Sequence, residues 1–252
     1  MTLLKLPPMH LEARLPLELG RLLSSEIFHR RSDHGDGQPV MVIPGLLAGD
    51  ESLRLLIGWL NNGGFAAEGS GIHLNVDCSE REMSRLSVRL ADISARAGGR
   101  QALLIGHSRG GLFARALAQR HPELVSGLIT LGTPHIDPLS SMHPLLATQV
   151  RLMSRVGDLG VRRIVSNQCR DGACCTGFWA SLTAPVPDGI PFVSVFTPSD
   201  GVVDFKACLH PQADLVAIDS SHCGMIANPD IYRALDERLR ALTARRPAAA
   251  AA

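Results

Sequence analysis

A serine framed by glycines, Gly106-His107-Ser108-Arg109-Gly110, has the G-x-S-x-G pattern of a nucleophile held on a sharp turn. The bare pattern is weak, with roughly 0.2 occurrences expected by chance at this glycine and serine content. Its setting carries more weight. The apolar run Ala102-Leu103-Leu104-Ile105 reads as a buried strand, and Arg109 to His121, closed by Pro122, reads as a helix. A strand-turn-helix of this kind lifts a serine hydroxyl above a sheet edge, and small residues at 106, 110 and 111 let strand and helix approach each other. A glycine-rich turn without chemistry is the plain alternative.

A serine hydroxyl needs a base within hydrogen-bond reach, and ten histidines are available. In an open parallel sheet, sites gather at the carboxyl ends of the strands. His222 follows the last predicted strand and satisfies that rule, whereas His210 precedes the strand and falls at the opposite edge. His107 adjoins Ser108 but should point elsewhere from the turn, as a supporting or incidental group. His73 and His121 read as ordinary surface or strand positions. The same rule selects the acid. Asp188 precedes the strand at 192–197, Asp200 follows it, and Asp204 is the alternative four residues on. Asp200 would hold the imidazole in one tautomer and stabilise its cation. Oxyanion donors are expected at the backbone N–H of Arg109 and of Leu46, in the loop Pro44-Gly45-Leu46-Leu47-Ala48-Gly49. The plain alternative is that Pro44-Gly45 merely ends a strand.

The elements that must position these groups alternate. Val40 to Ile43 is an apolar strand of the kind buried on both faces. Asp50 is placed to cap a helix bearing Leu53, Leu56, Ile57 and Leu60, which Gly63-Gly64 ends. A weaker strand is predicted at Gly71 to Val76. Ser79 and Glu82 have capping-box spacing ahead of a helix lined by Met83, Leu86, Leu90 and Ile93. Further strands are predicted at 128–131, 192–197 and 215–219, and a last helix is capped by Asn228 with Pro229 in its first turn. Strand-helix alternation predicts an α/β fold, a mostly parallel sheet with helices on both faces. Residues 1–37 read as a helical extension, about 9 to 30, with a polar linker. Residues 38–245 form the main domain, and the alanine-rich 246–252 reads as a disordered tail. The stretch from about 134 to 190 is too long for an ordinary connection and reads as a lid or cap insertion. Within it, 144–156 suits an amphipathic helix and 168–177 a loop.

Composition narrows the function classes. In 252 residues, 45% are hydrophobic, and 25 basic side chains nearly balance 24 acidic ones. That composition opposes disorder, a nucleic-acid footprint and a polybasic membrane anchor. No apolar stretch approaches the ~18 residues of a membrane span, and the first 30 residues carry charge throughout, so the expectation is a cytoplasmic protein without signal peptide. Six cysteines are too few for a disulfide scaffold. Cys169-x4-Cys174-Cys175 lacks C-x2-C spacing, so burial or a local disulfide is expected there rather than a metal. Cys208 and Cys223 bracket the last strand, where a disulfide would pin the histidine loop but would need an oxidising compartment.

Val42-Ile43-Pro44-Gly45, Gly106 to Gly111, Leu131-Gly132-Thr133-Pro134, Ser199-Asp200-Gly201-Val202-Val203 and Ser221-His222-Cys223-Gly224-Met225 with Asn228-Pro229 together resemble α/β-hydrolases of the serine lipase/esterase group. The resemblance covers about residues 38–245 and is closest to small bacterial triacylglycerol-lipase-like members. It implies an α/β-hydrolase fold and the order Ser108, Asp200, His222 for the triad. It also implies Leu46 and Arg109 for the oxyanion hole, no cofactor, and a small-molecule carboxylic ester as substrate. Many relatives carry His-Gly where this chain has Pro44-Gly45, which leaves the oxyanion loop less defined. Apolar residues of the insertion (Leu145, Leu146, Val150, Leu152, Met153, Phe178, Trp179) suit a lipophilic acyl chain, or simply pack the insertion onto the domain. An acyltransferase or thioesterase with the same triad, or a binding module on a hydrolase fold, are the competing expectations.

Overall fold

The computed structural model describes residues 7–170 and 174–244, so the predicted tail at 246–252 lies outside the described residues. Six parallel strands form one sheet: β1 (Pro39–Ile43), β2 (Ala66–Gly69), β3 (Ala102–His107), β4 (Val125–Leu131), β5 (Phe192–Phe196) and β6 (Asp214–Ala217). Their order is β2-β1-β3-β4-β5-β6. The register pairs Val42 with Ile105, Ile105 with Ile129, and Ile129 with Val193, an unbroken apolar row across the centre.

Side chains alternate between the two faces of a strand, and each face meets its own helix layer. Met41, Ile43 and Leu104 pack with α4 (Ser79–Arg96) and α5 (Arg109–Arg120), through residues such as Leu86, Leu90, Phe113 and Leu117. Val40, Val42, Leu103 and Ile105 face α3 (Arg54–Asn62) and α9 (Pro229–Ala244), through Leu56, Leu60, Tyr232 and Leu235. Helices on both faces explain why β1 and β3 read as wholly apolar: every one of their residues is buried. The final helix begins as expected, with Asn228 Oδ1 accepting the Asp230 N–H at 2.9 Å.

Several local expectations give way to tertiary contacts. The second strand is Ala66–Gly69, not 71–76. Beyond Gly69 the chain leaves the sheet, because the Asp50 carboxylate accepts from Ser70 Oγ and the Gly71 N–H and folds it away. Asp50 is therefore not a helix cap; it starts a 3₁₀ turn, and α3 begins only at Arg54. The Ser79/Glu82 capping box does not form either. Cys78 is the N-cap residue, the Glu82 carboxylate pairs with Arg85, and Ser79 Oγ accepts from Arg109. The N-terminal segment, expected to be helical over about 9 to 30, is a 3₁₀ turn (Met9–Arg14) followed by α1 (Leu15–Leu23) and α2 (Glu26–His29).

The excursion between β4 and β5 carries α6 (Pro144–Asp158), α7 (Asn167–Arg170) and α8 (Thr176–Thr183). Part of the stretch expected as loop at 168–177 is thus helical, because Cys169, Cys175 and Phe178 are buried against the core beside α4 and α5. Among the described residues, no helix is long and apolar enough to cross a membrane.

Candidate active site

Ser108 sits between the end of β3 and the start of α5 at φ +51°, ψ −121°, a conformation costly for a non-glycine residue. The strain is held by close backbone packing. Any Cβ at Gly110 would overlap the Ile43 and Pro44 carbonyls, and one at Gly106 would lie 2.5 Å from Gly110 O and Gly111 Cα. The Ser108 N–H is anchored to Leu131 O at 2.8 Å. Ser108 itself is half-buried and opens onto a cavity.

The expected acid and base meet. Asp200, in the loop after β5, and His222, after β6, are both buried, and Asp200 Oδ2 lies 2.7 Å from His222 Nδ1. The other carboxylate oxygen, Oδ1, accepts the N–H groups of Val202 and Val203, each at 2.8 Å. The pair is thereby oriented on both sides. Burial alone would lower the His222 pKa, but the charge and hydrogen bond of Asp200, aided by Glu12, overcome it and leave the imidazole above its ordinary value of 6.5. Asp204 is occupied elsewhere, accepting the Lys206 N–H as an N-cap, and Asp188 is exposed before β5.

His107 proves to be more than incidental. Its Nε2–H donates to the His222 carbonyl at 3.0 Å, and the two rings lie 5.0 Å apart. This contact ties the turn carrying Ser108 to the loop carrying His222. Burial and the neighbouring His222 push the His107 pKa down to about 3, so it stays neutral and serves as a fixed strut. Gly132 completes the meeting point, for a Cβ there would come within 3.1 Å of His222 Nδ1. His210 lies elsewhere, beside His135 and Phe192, and His121 contacts Ser87 Oγ.

Leu46 and Arg109 border the same cavity as Ser108. Among the described residues the Leu46 N–H has no hydrogen-bond partner, and the Arg109 N–H belongs to the open first turn of α5. The loop is held close to Ser108 because Gly45 has no side chain; a Cβ would lie 3.2 Å from Ser108 Cβ and 3.0 Å from His107 Nδ1. Leu47 adopts φ +63° to turn the chain there.

Three bracing residues escaped sequence reasoning. Asn75 is fully buried: its Nδ2 donates to Pro44 O at 2.8 Å, its N–H to Ala48 O, and its Oδ1 accepts from Arg109 at 2.7 Å. The other two are carboxylates of the N-terminal segment. Glu12 accepts the N–H groups of Gly201, His222 and Cys223 at 2.9 to 3.0 Å. Glu18 is 1% exposed and accepts from Ser221 N–H, Ser220 Oγ, Ser221 Oγ and Asn228 Nδ2. The paired turns after β5 and β6 are thus clamped by the N-terminal segment. Only the placement of acids in an amphipathic preamble could have hinted at this.

The cavity above Ser108 encloses about 100 Å³. Leu112 from α5, Leu146 and Val150 from α6, Val165, and Phe178 and Trp179 from α8 make its wall largely apolar. Cys208 and Cys223, which could have joined to pin the histidine loop, are free thiols.

Comparison with known proteins finds likenesses to the fold among hydrolases. A family profile described as alpha/beta hydrolase fold matches residues 71–164. A pyrethroid hydrolase of Sphingobium wenxiniae is 42% identical over 80 residues, covering 30% of this chain and 27% of that protein. A triacylglycerol lipase of Pseudarthrobacter phenanthrenivorans is 31% identical over 106 residues, covering 38% and 33%. The match to these curated relatives spans no more than a third of their length. Among solved structures, the mature lipase of Bacillus licheniformis superposes with a TM-score of 0.59 at 17% identity, covering 83% of this chain and 94% of that one. The monoacylglycerol lipase of Paleococcus ferrophilus gives 0.57 at 13% identity, covering 84% and 96%.

Proposed function

We propose that this chain, whose likenesses lie among α/β hydrolases, lipases and esterases, hydrolyses carboxylic esters with an apolar acyl group through Ser108, His222 and Asp200. The observation that carries the reading is the buried 2.7 Å contact between Asp200 and His222, fastened through His107 to the strained turn of Ser108. A neutral imidazole with its Nδ1–H on Asp200 presents Nε2 as the proton acceptor.

In the proposed reaction, Ser108 Oγ attacks the ester carbonyl and its proton passes to His222. Asp200 stabilises the imidazolium, and the N–H groups of Leu46 and Arg109 receive the developing oxyanion. His222 returns the proton to the departing alcohol. Water then attacks the acyl-enzyme with His222 again as base, releasing the acid and restoring the serine. The apolar cavity formed by α5, α6 and α8 supports an acyl chain as the group held there, with the β4–β5 excursion as its cover.

The test is labelling with a fluorophosphonate probe, followed by hydrolysis of p-nitrophenyl esters of graded chain length with and without an added alcohol. Covalent labelling of Ser108, lost in Ser108→Ala, together with hydrolysis of medium or longer chains, is the expected result. Absence of an adduct on folded protein would turn the reading toward a binding module. Transfer to the alcohol in preference to water would make the protein an acyltransferase.

A further inference from the structure

Behind the cavity wall, Cys78 converges with three cysteines from much later in the chain. Cys78 caps α4, Cys169 lies in α7, and Cys174 and Cys175 precede α8. Their sulfur atoms all lie within 4.8 Å of one another. The nearest separations are 3.1 Å between Cys169 and Cys174, 3.5 Å between Cys78 and Cys175, 3.7 Å between Cys174 and Cys175, and 3.8 Å between Cys78 and Cys174. Four sulfurs at ~2.3 Å from a central zinc stand about 3.8 Å apart at the corners of a tetrahedron. The cluster is therefore of the size that one ion fills, with every sulfur close to every other rather than grouped in two isolated pairs.

We propose that these four thiolates bind a zinc ion, and that the ion fastens the helices forming the cavity wall to the start of α4. The surroundings suit a dianionic tetrathiolate. Arg81 bonds to the Asp77 carboxylate at 2.6 Å, and Arg109 donates to Asp77 O and Ser79 Oγ, so two cations flank Cys78. The Ser166 hydroxyl lies 3.3 Å from Cys169 Sγ, and the Glu80 backbone hydrogen-bonds to the Cys175 sulfur. Such hydrogen bonds orient thiolates and offset their charge. An entry path exists, because Cys78, Cys169 and Cys174 also line an outer groove of about 490 Å³. Binding displaces the thiol protons to solvent: one zinc ion and four S–H groups give a four-coordinate zinc dianion and four protons, with no change of oxidation state.

The absent C-x2-C spacing, which argued against metal in the sequence, does not apply when a fourth ligand, Cys78, arrives 91 residues upstream of Cys169. Cys169 and its neighbours Phe178 and Trp179 also line the acyl cavity, so the ion would stiffen one side of that cavity without touching Ser108.

The test is metal analysis of the full-length protein, purified under reducing conditions, together with thiol titration after denaturation in chelator. One zinc per chain and all six cysteines titrating is expected. Replacement by cobalt(II) should give thiolate charge-transfer bands and the intense visible bands of a tetrahedral ion. Cys174→Ser, at the exposed corner, should bind roughly tenfold less zinc at limiting metal, while Cys208→Ser retains it. Six thiols without metal would overturn the proposal. So would titration of only Cys208 and Cys223, which would mean two disulfides, or zinc that survives Cys174→Ser and Cys175→Ser. If the variants do not fold, the cobalt spectrum of the unaltered chain decides the coordination. None of these readouts depends on the ester-hydrolase reading.

Discussion

Replacing Glu18 by alanine should weaken both the fold and the catalysis, although its carboxylate bonds to no side chain of the proposed triad. Its carboxylate receives four donors, from the Ser221 N–H, the Ser220 and Ser221 hydroxyls and Asn228 Nδ2. Two of these are hydroxyls that can rotate toward other acceptors. The Ser221 N–H cannot, and Asn228 is held in place by a second donation to Asp219 O. A buried donor left without a partner costs ~1–3 kcal/mol. Two such groups, partly offset by no longer burying a carboxylate, give a net loss of about 2–4 kcal/mol. For a domain of this size that corresponds to a fall in melting temperature of roughly 5–15 °C.

Ser221 directly precedes His222, so the loss should also loosen the base. We expect kcat for a p-nitrophenyl ester to fall about tenfold, the equivalent of ~1.4 kcal/mol, with little change in KM because neither Glu18 nor Ser221 lines the cavity at Ser108. Glu18→Gln, which keeps one acceptor oxygen, should fall between the two. Thermal melts and steady-state kinetics at temperatures well below the melting point separate the two effects. A Glu18→Ala protein that melts within about 1 °C of the parent and keeps kcat within about twofold would refute the bracing argument.

In the proposed reaction His222 is neutral when it accepts the Ser108 proton, so its raised pKa should place the acid limb of kcat/KM above pH 6.5, with activity growing as pH rises through it. Asp200→Asn removes the two main raising influences and leaves burial dominant, so the limb should move to lower pH while kcat drops by roughly 10⁴-fold; an unshifted limb would assign it to another group. Asn75→Ala frees the Pro44 carbonyl and one side of the Arg109 guanidinium, and should lower kcat roughly 10- to 100-fold if Leu46 serves the oxyanion, with unchanged kcat speaking against that role. Trp179→Ala should enlarge the apolar cavity and shift the preferred p-nitrophenyl ester to longer chains, and an unchanged chain-length profile would place the acyl group elsewhere.

Much of the candidate site was legible because its signals are local. The turn at Ser108 is written into five consecutive residues, and the edge on which Asp200 and His222 fall follows from which side of a strand each occupies. The misreadings were also local in origin. Asp50 and the Ser79/Glu82 pair have the right spacing for caps, but Asp50 and Ser79 found partners brought by other segments, Gly71 and Arg109, while Glu82 pairs with Arg85 one turn along its own helix. Gly71 to Val76 has apolar residues enough for a strand, yet the sheet takes Ala66 to Gly69, whose backbone can pair with β1 once Asp50 has turned the chain after it.

By itself, then, the order of residues determined the strand-helix alternation, the buried central strands and the candidates for nucleophile, base and acid, since each depends on neighbours within a few positions. What only the folded chain decided were the contacts across long separations. Glu12 and Glu18 meet a loop more than 180 residues away, and Cys78 meets three sulfurs from the far side of the β4–β5 excursion. No spacing rule encodes such meetings. They exist because packing two helix layers onto one sheet removes water from these groups, and a buried carboxylate or thiol then requires whichever partner the topology has carried beside it.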